Sequence, residues 1–295
     1  MQTALVTGAN KGIGFEIARG LLKSGEFRVI LGCRDPGRAN EAAAKLKDLT
    51  GVSADKIAVL AGLDLASTDS IRAAAQALLK MCEPERKPLT VLVNNAGFAF
   101  KYAAKEPTGE QARVTCGINY FGTLSVCDNF FPLLRDGGRV VNVGSRSGVL
   151  SSFSNDKLRE QFDKVVTNKT TVAELSELVN TYVRLAQSGK HIDEGFPRTT
   201  YSTSKAVLHA LTRIHANEPE LRARRIVVNT LTPGYCVSDM TKGIDGTWDK
   251  GCTRTAAQGA ETPIWLALSE EGGTLNGAFV DEEQKPISYL DGRRI

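Results

Sequence analysis

No stretch of this chain approaches the length of a membrane span, although apolar residues fill 42% of its 295 positions. A soluble protein with no membrane partner is expected. No stripe of Lys and Arg interleaved with aromatics appears, and the formal charge is only 37 − 33 = +4, which argues against a nucleic-acid partner. The six cysteines, Cys33, Cys82, Cys116, Cys127, Cys236 and Cys252, include no C-x-x-C pair. Such scatter suits small buried hydrophobes better than a disulfide frame or a zinc site. His191, His209 and His215 lack ligand spacing with any cysteine, so no metal is expected. Asn168-Lys169-Thr170 fits the glycosylation pattern, but a strand begins directly after Met1 and Gln2 with no signal or transit pattern ahead of it. The sequon therefore reads as a chance match, and the cytoplasm as the expected location.

What the chain does have is concentrated first in TALVTGANKGIGFEIARGLL, residues 3–22. The apolar run Ala4-Leu5-Val6 meets a glycine-rich turn, after which Ile13, Ile17 and Leu21 recur at the four-residue step of a helix face. Gly8, Gly12 and Gly14 lack the Cβ atoms that would keep a ligand off the backbone and the helix off its strand. The helix start offers unpaired N–H groups and a positive dipole end to a pyrophosphate. An ordinary glycine-rich βα turn is the alternative, since short glycine patterns recur by chance.

Strands expected at 28–32, 57–61, 90–93, 139–143, 225–231 and 278–280 alternate with helices at 38–50, 68–81, 110–134, 201–217 and 256–268. That alternation predicts one α/β domain over residues 1–295, a doubly wound parallel sheet of Rossmann type with helices on both faces. The second strand ends about twenty residues beyond the glycines, where a dinucleotide fold meets the adenosine ribose, and there stands Arg34. A guanidinium can pair with a 2′-phosphate where an acid would bind the free hydroxyl, so NADPH is favoured over NADH. Lys11 adds a second cation, while the neighbouring Asp35 pulls the other way. Asp64-Leu65 follows the third strand, where the carboxylate either meets the adenine amino group or is a plain loop acid. Asn94-Asn95-Ala96-Gly97 follows the fourth, with amides able to bridge strands and a small pair leaving room for a ribose; an Asx turn is the alternative. Asn119 interrupts the long helix at 110–134, where it would hold a water, bend the helix or face solvent. Gly144-Ser145 ends the fifth strand, and Thr232-Pro233-Gly234 ends the sixth. Tyr201 and Lys205 open a helix as YSTSK, on one face at i and i+4. A cation beside a phenol favours phenolate, so the tyrosine pKa is expected to fall from its usual value.

TGANKGIG (7–14), NNAG (94–97), Asn119, Ser145, YSTSK (201–205) and PG (233–234) together resemble the short-chain dehydrogenase/reductase family over essentially the whole chain. ANKGIGFEI, NNAGFAFK, NYFGT, RVVNV, TRIHA and GAETP are similar to its monomeric carbonyl-reductase branch, which includes plant ketone reductases such as salutaridine reductase. The resemblance implies that Tyr201 donates a proton to a carbonyl oxygen as nicotinamide delivers hydride. Lys205 would lower the tyrosine pKa and bind the ribose, Ser145 would hydrogen-bond the substrate oxygen, and Asn119 would hold a relay water. Cofactor contacts would come from Gly8, Asn10, Lys11, Gly12, Ile13, Gly14, Arg34, Asp64, Leu65, Asn95, Tyr201, Lys205 and Pro233-Gly234. The segment after Pro233-Gly234, Cys236, Val237 and Ser238, would meet the nicotinamide carboxamide.

Ser145 and Tyr201 stand 201 − 145 = 56 residues apart, well beyond the ordinary family spacing, so residues 146–200 hold an insertion. Thr171 and Glu174 form a capping-box pattern ahead of the apolar stripe Leu175, Leu178, Val179, Tyr182, Val183, and Gly189 ends the helix. In the branch that this chain resembles, such an insertion covers the face used for dimerisation, which implies a monomer; the alternative makes the stripe a partner surface. Thr232 replaces the cysteine of mammalian-type relatives before Pro-Gly. Cys236 stands where Val or Ile is usual, either a reactive thiol or a buried small residue. Residues 241–255 read as a loop over the substrate, and 281–295 as a weakly packed tail. Phe98, Phe100, Tyr235 and Trp248, with Ser145, are the expected substrate residues. The function expected is NADPH-dependent reduction of aldehydes, ketones and quinones to alcohols. The alternatives are a narrow biosynthetic or pteridine-type reductase, or a cofactor-binding sensor whose insertion is its interface.

Overall fold

The computed structural model describes residues 1–101, 103–166, 170–243, 247 and 249–295; Asn168 and Lys169 of the sequon lie outside them. Strands β1 (Gln2–Thr7), β2 (Phe27–Cys33), β3 (Ile57–Ala61), β4 (Leu89–Asn94), β5 (Leu134–Val143), β6 (Val227–Leu231) and β7 (Phe279–Val280) form one seven-stranded sheet in the order β3-β2-β1-β4-β5-β6-β7. All neighbours pair in parallel, as the alternation predicts. The central strands are buried on both faces, which is why they read as continuous apolar runs rather than as alternating ones.

Helices α1 (Gly12–Lys23) and α2 (Pro36–Thr50), with the later helix Glu261–Leu268, cover one face. A Cβ on Gly20 of α1 would lie 2.2 Å from Ile264 Cδ1, so glycine there sets how closely the two helices approach. Helices α3 (Thr68–Met81), α4 (Thr108–Cys116) and α5 (Thr123–Phe130) begin the other layer. The sheet reverses its winding between β1 and β4, and ligands of such sheets bind at the carboxyl ends beside that point.

The helix expected over 110–134 is not continuous. Its centre, Gly117–Gly122, is wound as a π-helix between α4 and α5, and β5 already begins at Leu134. The helix expected at 256–268 likewise breaks at Ala260 between two short helices, Ala256–Gly259 and Glu261–Leu268.

The insertion supplies α6 (Asp156–Val166) and α7 (Val172–Gln187) ahead of α8 (Thr200–Ala216). The capping box forms in both directions, with Glu174 N donating to Thr171 Oγ1 at 3.2 Å and Thr171 N to Glu174 Oε2 at 2.8 Å, worth about 1 kcal/mol. Leu175, Val179, Tyr182 and Ala186 are buried with residues of α4 and α8 in one apolar cluster. Each large side chain so covered contributes about 1.5–3 kcal/mol. Gly109 of α4 sits so close to α7 that a Cβ there would lie 2.6 Å from Gln187 Cα. The stripe is therefore packed within the chain and is not left as a partner surface.

The expectation of a loose tail after Asp281 is wrong. Asp281 is 1% exposed, and its carboxylate takes a 2.8 Å ion pair from Arg294 and hydrogen bonds from Glu283 N and Lys285 N. Leu150 N and Ser151 N donate to the carbonyls of Tyr289 and Leu290 at 3.1 and 2.7 Å. These long-range pairings carry no local periodicity, so the sequence of the tail looks looser than its packing.

Candidate functional site

The turn after β1 is shaped by what cannot fit there. Gly8 and Gly12 have φ of 66° and 57°, a region that costs other residues about 1–2 kcal/mol. A Cβ on Gly14 would lie 2.4 Å from both Gly8 O and Asn95 Nδ2, so the helix start is drawn down onto the strand end. Lys11 caps α1 with no side-chain hydrogen bond, and no acid stands in the first turn. The amino end of α1 thus keeps unpaired donors for an anion.

Asn95 Nδ2 donates to Thr7 O at 2.9 Å, and Thr7 Oγ1 accepts from Asn95 N and Ala96 N at 3.0 Å each. Asn94 Nδ2 donates to Asn142 Oδ1 at 2.8 Å. The amides thus bridge strands as anticipated, and the loop after β4 is fastened to the glycine turn.

Asn119 lies on the π-helical turn, 1% exposed, so the solvent-facing alternative is excluded. Its Oδ1 accepts from Phe98 N at 2.7 Å, and its Nδ2 donates to Phe98 O at 2.8 Å and to Ser204 Oγ at 3.0 Å. A Cβ on Gly97 would stand 3.2 Å from Asn119 Oδ1 and 3.7 Å from Lys205 Nζ, so the missing side chain at 97 leaves a gap onto both. π-Turns of this kind are rare and gather at functional sites.

On α8, Tyr201 and Lys205 share one face, and the Ser145 hydroxyl, which accepts from Ser147 N at 3.2 Å, lies beside the Tyr201 phenol. Lys205 is 4% exposed and donates to Val143 O at 2.7 Å, 5.6 Å from the Tyr201 ring centroid. Asn119, Ser145, Tyr201 and Lys205 therefore meet at the end of β5. The expected fall in the tyrosine pKa is not found. Burial pushes Tyr201 up to about 12, with the Ser145 hydrogen bond acting the other way. The helix spacing brought the two Cβ atoms together, but the ammonium turned to a carbonyl instead of the phenol. Burial also lowers Lys205 to about 8.

Arg34 is exposed at the end of β2 and makes no hydrogen bond or ion pair with the described residues. Asp35, the acid that argued against a phosphate, is spent as the cap of α2, accepting from Arg38 N at 2.8 Å. Asp64 Oδ1 accepts from Ala66 N at 3.0 Å, and the buried Leu65 packs against Gly122 of the π-turn. Asn10 and Ile13 are partly buried beside the glycines.

Beyond β6, Gly234 has φ 77°. Val237 N and Ser238 N are taken up by Arg254 O at 2.8 Å and Thr241 Oγ1 at 3.0 Å. Cys236 is buried at 4% exposure, its thiol pushed up to about 11 by burial, as fits a small core residue rather than a reactive thiol. The following loop is fastened to the site's rim: Lys11 pairs with Asp239 at 2.5 Å, Lys101 donates to the carbonyls of Asp239 and Lys242, and Tyr235 OH donates to Asp249 at 2.5 Å. Phe98 and Phe100 pack edge to face at 4.9 Å, and Asn119 brings Phe98 to the site. Tyr235 is 47% exposed, and Trp248 lies outside the described residues.

Residues 2–156 match the family model of the short chain dehydrogenases. The chain belongs to that family. This short-chain dehydrogenase is 37% identical over 285 residues to carbonyl reductase [NADPH] 1 of Rattus norvegicus, with 95% of this chain and 96% of the relative covered. Among solved structures it is similar to salutaridine reductase from Papaver somniferum, at a TM-score of 0.79, 30% identity and coverage of 95% and 99% of the two chains. It is also similar to menthone neomenthol reductase from Mentha piperita, at 0.77, 29%, and coverage of 95% and 98%. Among the described residues no helix is long and apolar enough to cross a membrane.

Several polar groups packed against these candidate residues were not singled out in the sequence. Asn142 Nδ2 donates to Thr212 Oγ1 at 2.8 Å, and His209 Nε2 accepts from Ser145 N at 3.3 Å. The one available signal was that His209 stands four residues beyond Lys205 on the Tyr201 helix.

Proposed function

We propose that this protein is an NADPH-dependent reductase that converts aldehydes, ketones and quinones to alcohols, with Tyr201 as the general acid. The observation that carries this reading is the meeting of Ser145, Tyr201, Lys205 and Asn119 at the end of β5, beside a glycine turn whose α1 amino end is unpaired. The open space beside Gly12, where a Cβ would meet nothing within 4 Å, at the uncapped amino end of α1, and the unengaged Arg34 fit a pyrophosphate and a 2′-phosphate. Lys11 would join them, since its pair with Asp239 has both partners more than half exposed and such pairs are worth only about 0–1 kcal/mol. Asn95 and Lys205 would meet the nicotinamide ribose.

NADPH, when bound, supplies the hydride. A phenol held near pKa 12 is fully protonated at neutral pH, which is the state a proton donor needs. Ser145 would donate to the same carbonyl oxygen and stabilise the charge that gathers there. The Lys205 cation, in the same pocket, would stabilise the phenolate left after the transfer, and the free lone pair of Asn119 Oδ1 would take a relay water. Because Lys205 loses its proton near pH 8, reductive turnover is expected to decline as pH rises through that value. The chain would work as a monomer in the cytoplasm, a form supported by the burial of the apolar face of α7 within the chain.

The experiment is NADPH consumption by purified protein with a panel of small aromatic aldehydes, ketones and quinones, run beside Tyr201→Phe. Turnover is expected for wild type, reduced by about 10²–10⁴ in the variant. Equal turnover by both would remove Tyr201 from the chemistry.

A further inference from the structure

Helix α8 touches the end of β5 at successive turns. The Tyr201 hydroxyl meets Ser145, Lys205 Nζ holds Val143 O at 2.7 Å, and Thr212 Oγ1 accepts from Asn142 at 2.8 Å. Between them His209 Nε2 accepts from the main-chain N–H of Ser145 at 3.3 Å. We propose that His209 is a positioning residue, its imidazole anchoring the Ser145 main chain so that the hydroxyl faces Tyr201; this rests on the reading of Ser145 as the donor to the substrate oxygen.

Three observations distinguish this from filling a core. The ring can accept at Nε2 only in its neutral form with the proton on Nδ1. His209 is 1% exposed, and burial, with the nearby Lys205 cation, depresses its pKa to about 3, so the acceptor persists across the working range. The chain around Ser145 is also cut to the ring. A Cβ on Gly144 would lie 2.3 Å from His209 Nε2, and one on Gly148 3.0 Å from His209 Cε1. The imidazole, finally, is held from the far side. Phe279 of β7 lies at 4.2 Å between centroids and Tyr289 at 5.9 Å, and Tyr289 OH is tied to Gly277 O at 2.9 Å. The packed tail thus braces the ring that braces Ser145. Small misplacements of a reacting group cost large factors in rate, and a leucine of similar size would leave the Ser145 N–H without its acceptor.

The test is a double-mutant cycle of H209L with S145A, with H209Q as the conservative rescue, measuring kcat and KM for an aromatic ketone at saturating NADPH, and NADPH affinity by fluorescence. We expect H209L to lower kcat on the order of tenfold, with NADPH affinity within about twofold of wild type. H209Q, whose Oε1 can take the place of Nε2, is expected to recover most of the loss. In the S145A background H209L is expected to add less than about twofold, because the two residues act through one group. Equal losses in H209L and H209Q, or an undiminished cost of H209L when Ser145 is already gone, would reduce His209 to packing and overturn the proposal. Full kcat in S145A alone would instead overturn the reading of Ser145 and the proposal with it. If H209L does not fold, H209N, whose shorter amide falls short of the Ser145 N–H, replaces it with the same expected outcomes.

Discussion

At the glycine turn the material offered to a ligand is main chain. Gly8, Gly12 and Gly14 contribute shape, α1 contributes uncapped N–H groups, and Arg34 stands exposed with no partner among the described residues. At the end of β5 the material is side chain, and it is already engaged. Asn119 uses both donors, Lys205 holds Val143 O, and Asn94, Asn142 and Thr212 form a chain of amide and hydroxyl bonds across two strands and a helix. The first region leaves main-chain donors open, an arrangement that would suit an anion. The second has its donors fixed in advance, an arrangement that would suit preorganised chemistry, because donors already held need no reorganisation when charge develops. Substitutions should therefore act differently in the two places.

The largest expected effect is at the engaged end. Lys205→Met keeps the buried stem but removes both the cation and the donor to Val143 O. Turnover is expected to fall by about 10² or more, while NADPH still binds through the glycine turn. A variant with kcat within a few fold of wild type would show that the cation plays no part in the proton transfer.

Next comes the backbone of the open end. Gly14→Ala places a Cβ 2.4 Å from Gly8 O, and crowding of that kind costs about 1–3 kcal/mol. Both the melting temperature and the NADPH affinity are expected to drop, with kcat at saturating NADPH nearly unchanged. Loss of kcat alone, with affinity intact, would erase the distinction between the two regions.

The contrast explains what could be read from the sequence. Glycine spacing is a local code, since a positive φ and a forbidden Cβ leave their mark within a few residues of each other, so the turn, the order of elements and the Tyr-Lys pair were legible. The engagement of side chains is not local. Asn94 meets Asn142 across 48 positions, Ser145 meets His209 across 64 and Leu150 meets the tail at Tyr289, and no periodicity announces such meetings. The lysine could be placed on the tyrosine's helix face, but the choice of its ammonium between a phenol and a carbonyl depended on where β5 ended. Asn119 stood out as an interruption of the long helix, open to holding a water, bending the helix or facing solvent, but the π-winding around it depended on equally distant partners, Phe98 and Ser204.

A smaller effect is expected at Arg34. Arg34→Asp puts a carboxylate where a 2′-phosphate would be paired, and charge-assisted hydrogen bonds are worth about 1.5–3 kcal/mol. The ratio of kcat/KM for NADPH over NADH is thus expected to fall by about tenfold to a hundredfold. Because Asp35 is already committed to capping α2, the carboxylate introduced at 34 is the one placed to repel a 2′-phosphate and to accept from a free 2′-hydroxyl. An unchanged ratio would transfer the selectivity to Lys11.

The smallest effect belongs to a polar cluster just past the far end of α8, where Glu218 is half-buried against the buried His215, away from the proposed chemistry. His215 Nε2 lies 3.7 Å from Glu218 Oε1. Burial, with the charges of Asp128 and Glu220, raises the Glu218 carboxyl to about 7. A folded pKa above the unfolded one means that the folded state holds its proton more tightly, so the stabilisation is full below pH about 4.5 and is lost as pH rises through about 7. Thermal unfolding of wild type and Glu218→Gln at pH 5 and pH 8 isolates this term, since the amide does not titrate. Wild type is expected to lose ground to the variant between the two values, by less than the Gly14→Ala shift, with kcat per folded molecule equal in both. A difference in stability that does not vary with pH would mean that Glu218 is already ionised in the folded state at pH 5.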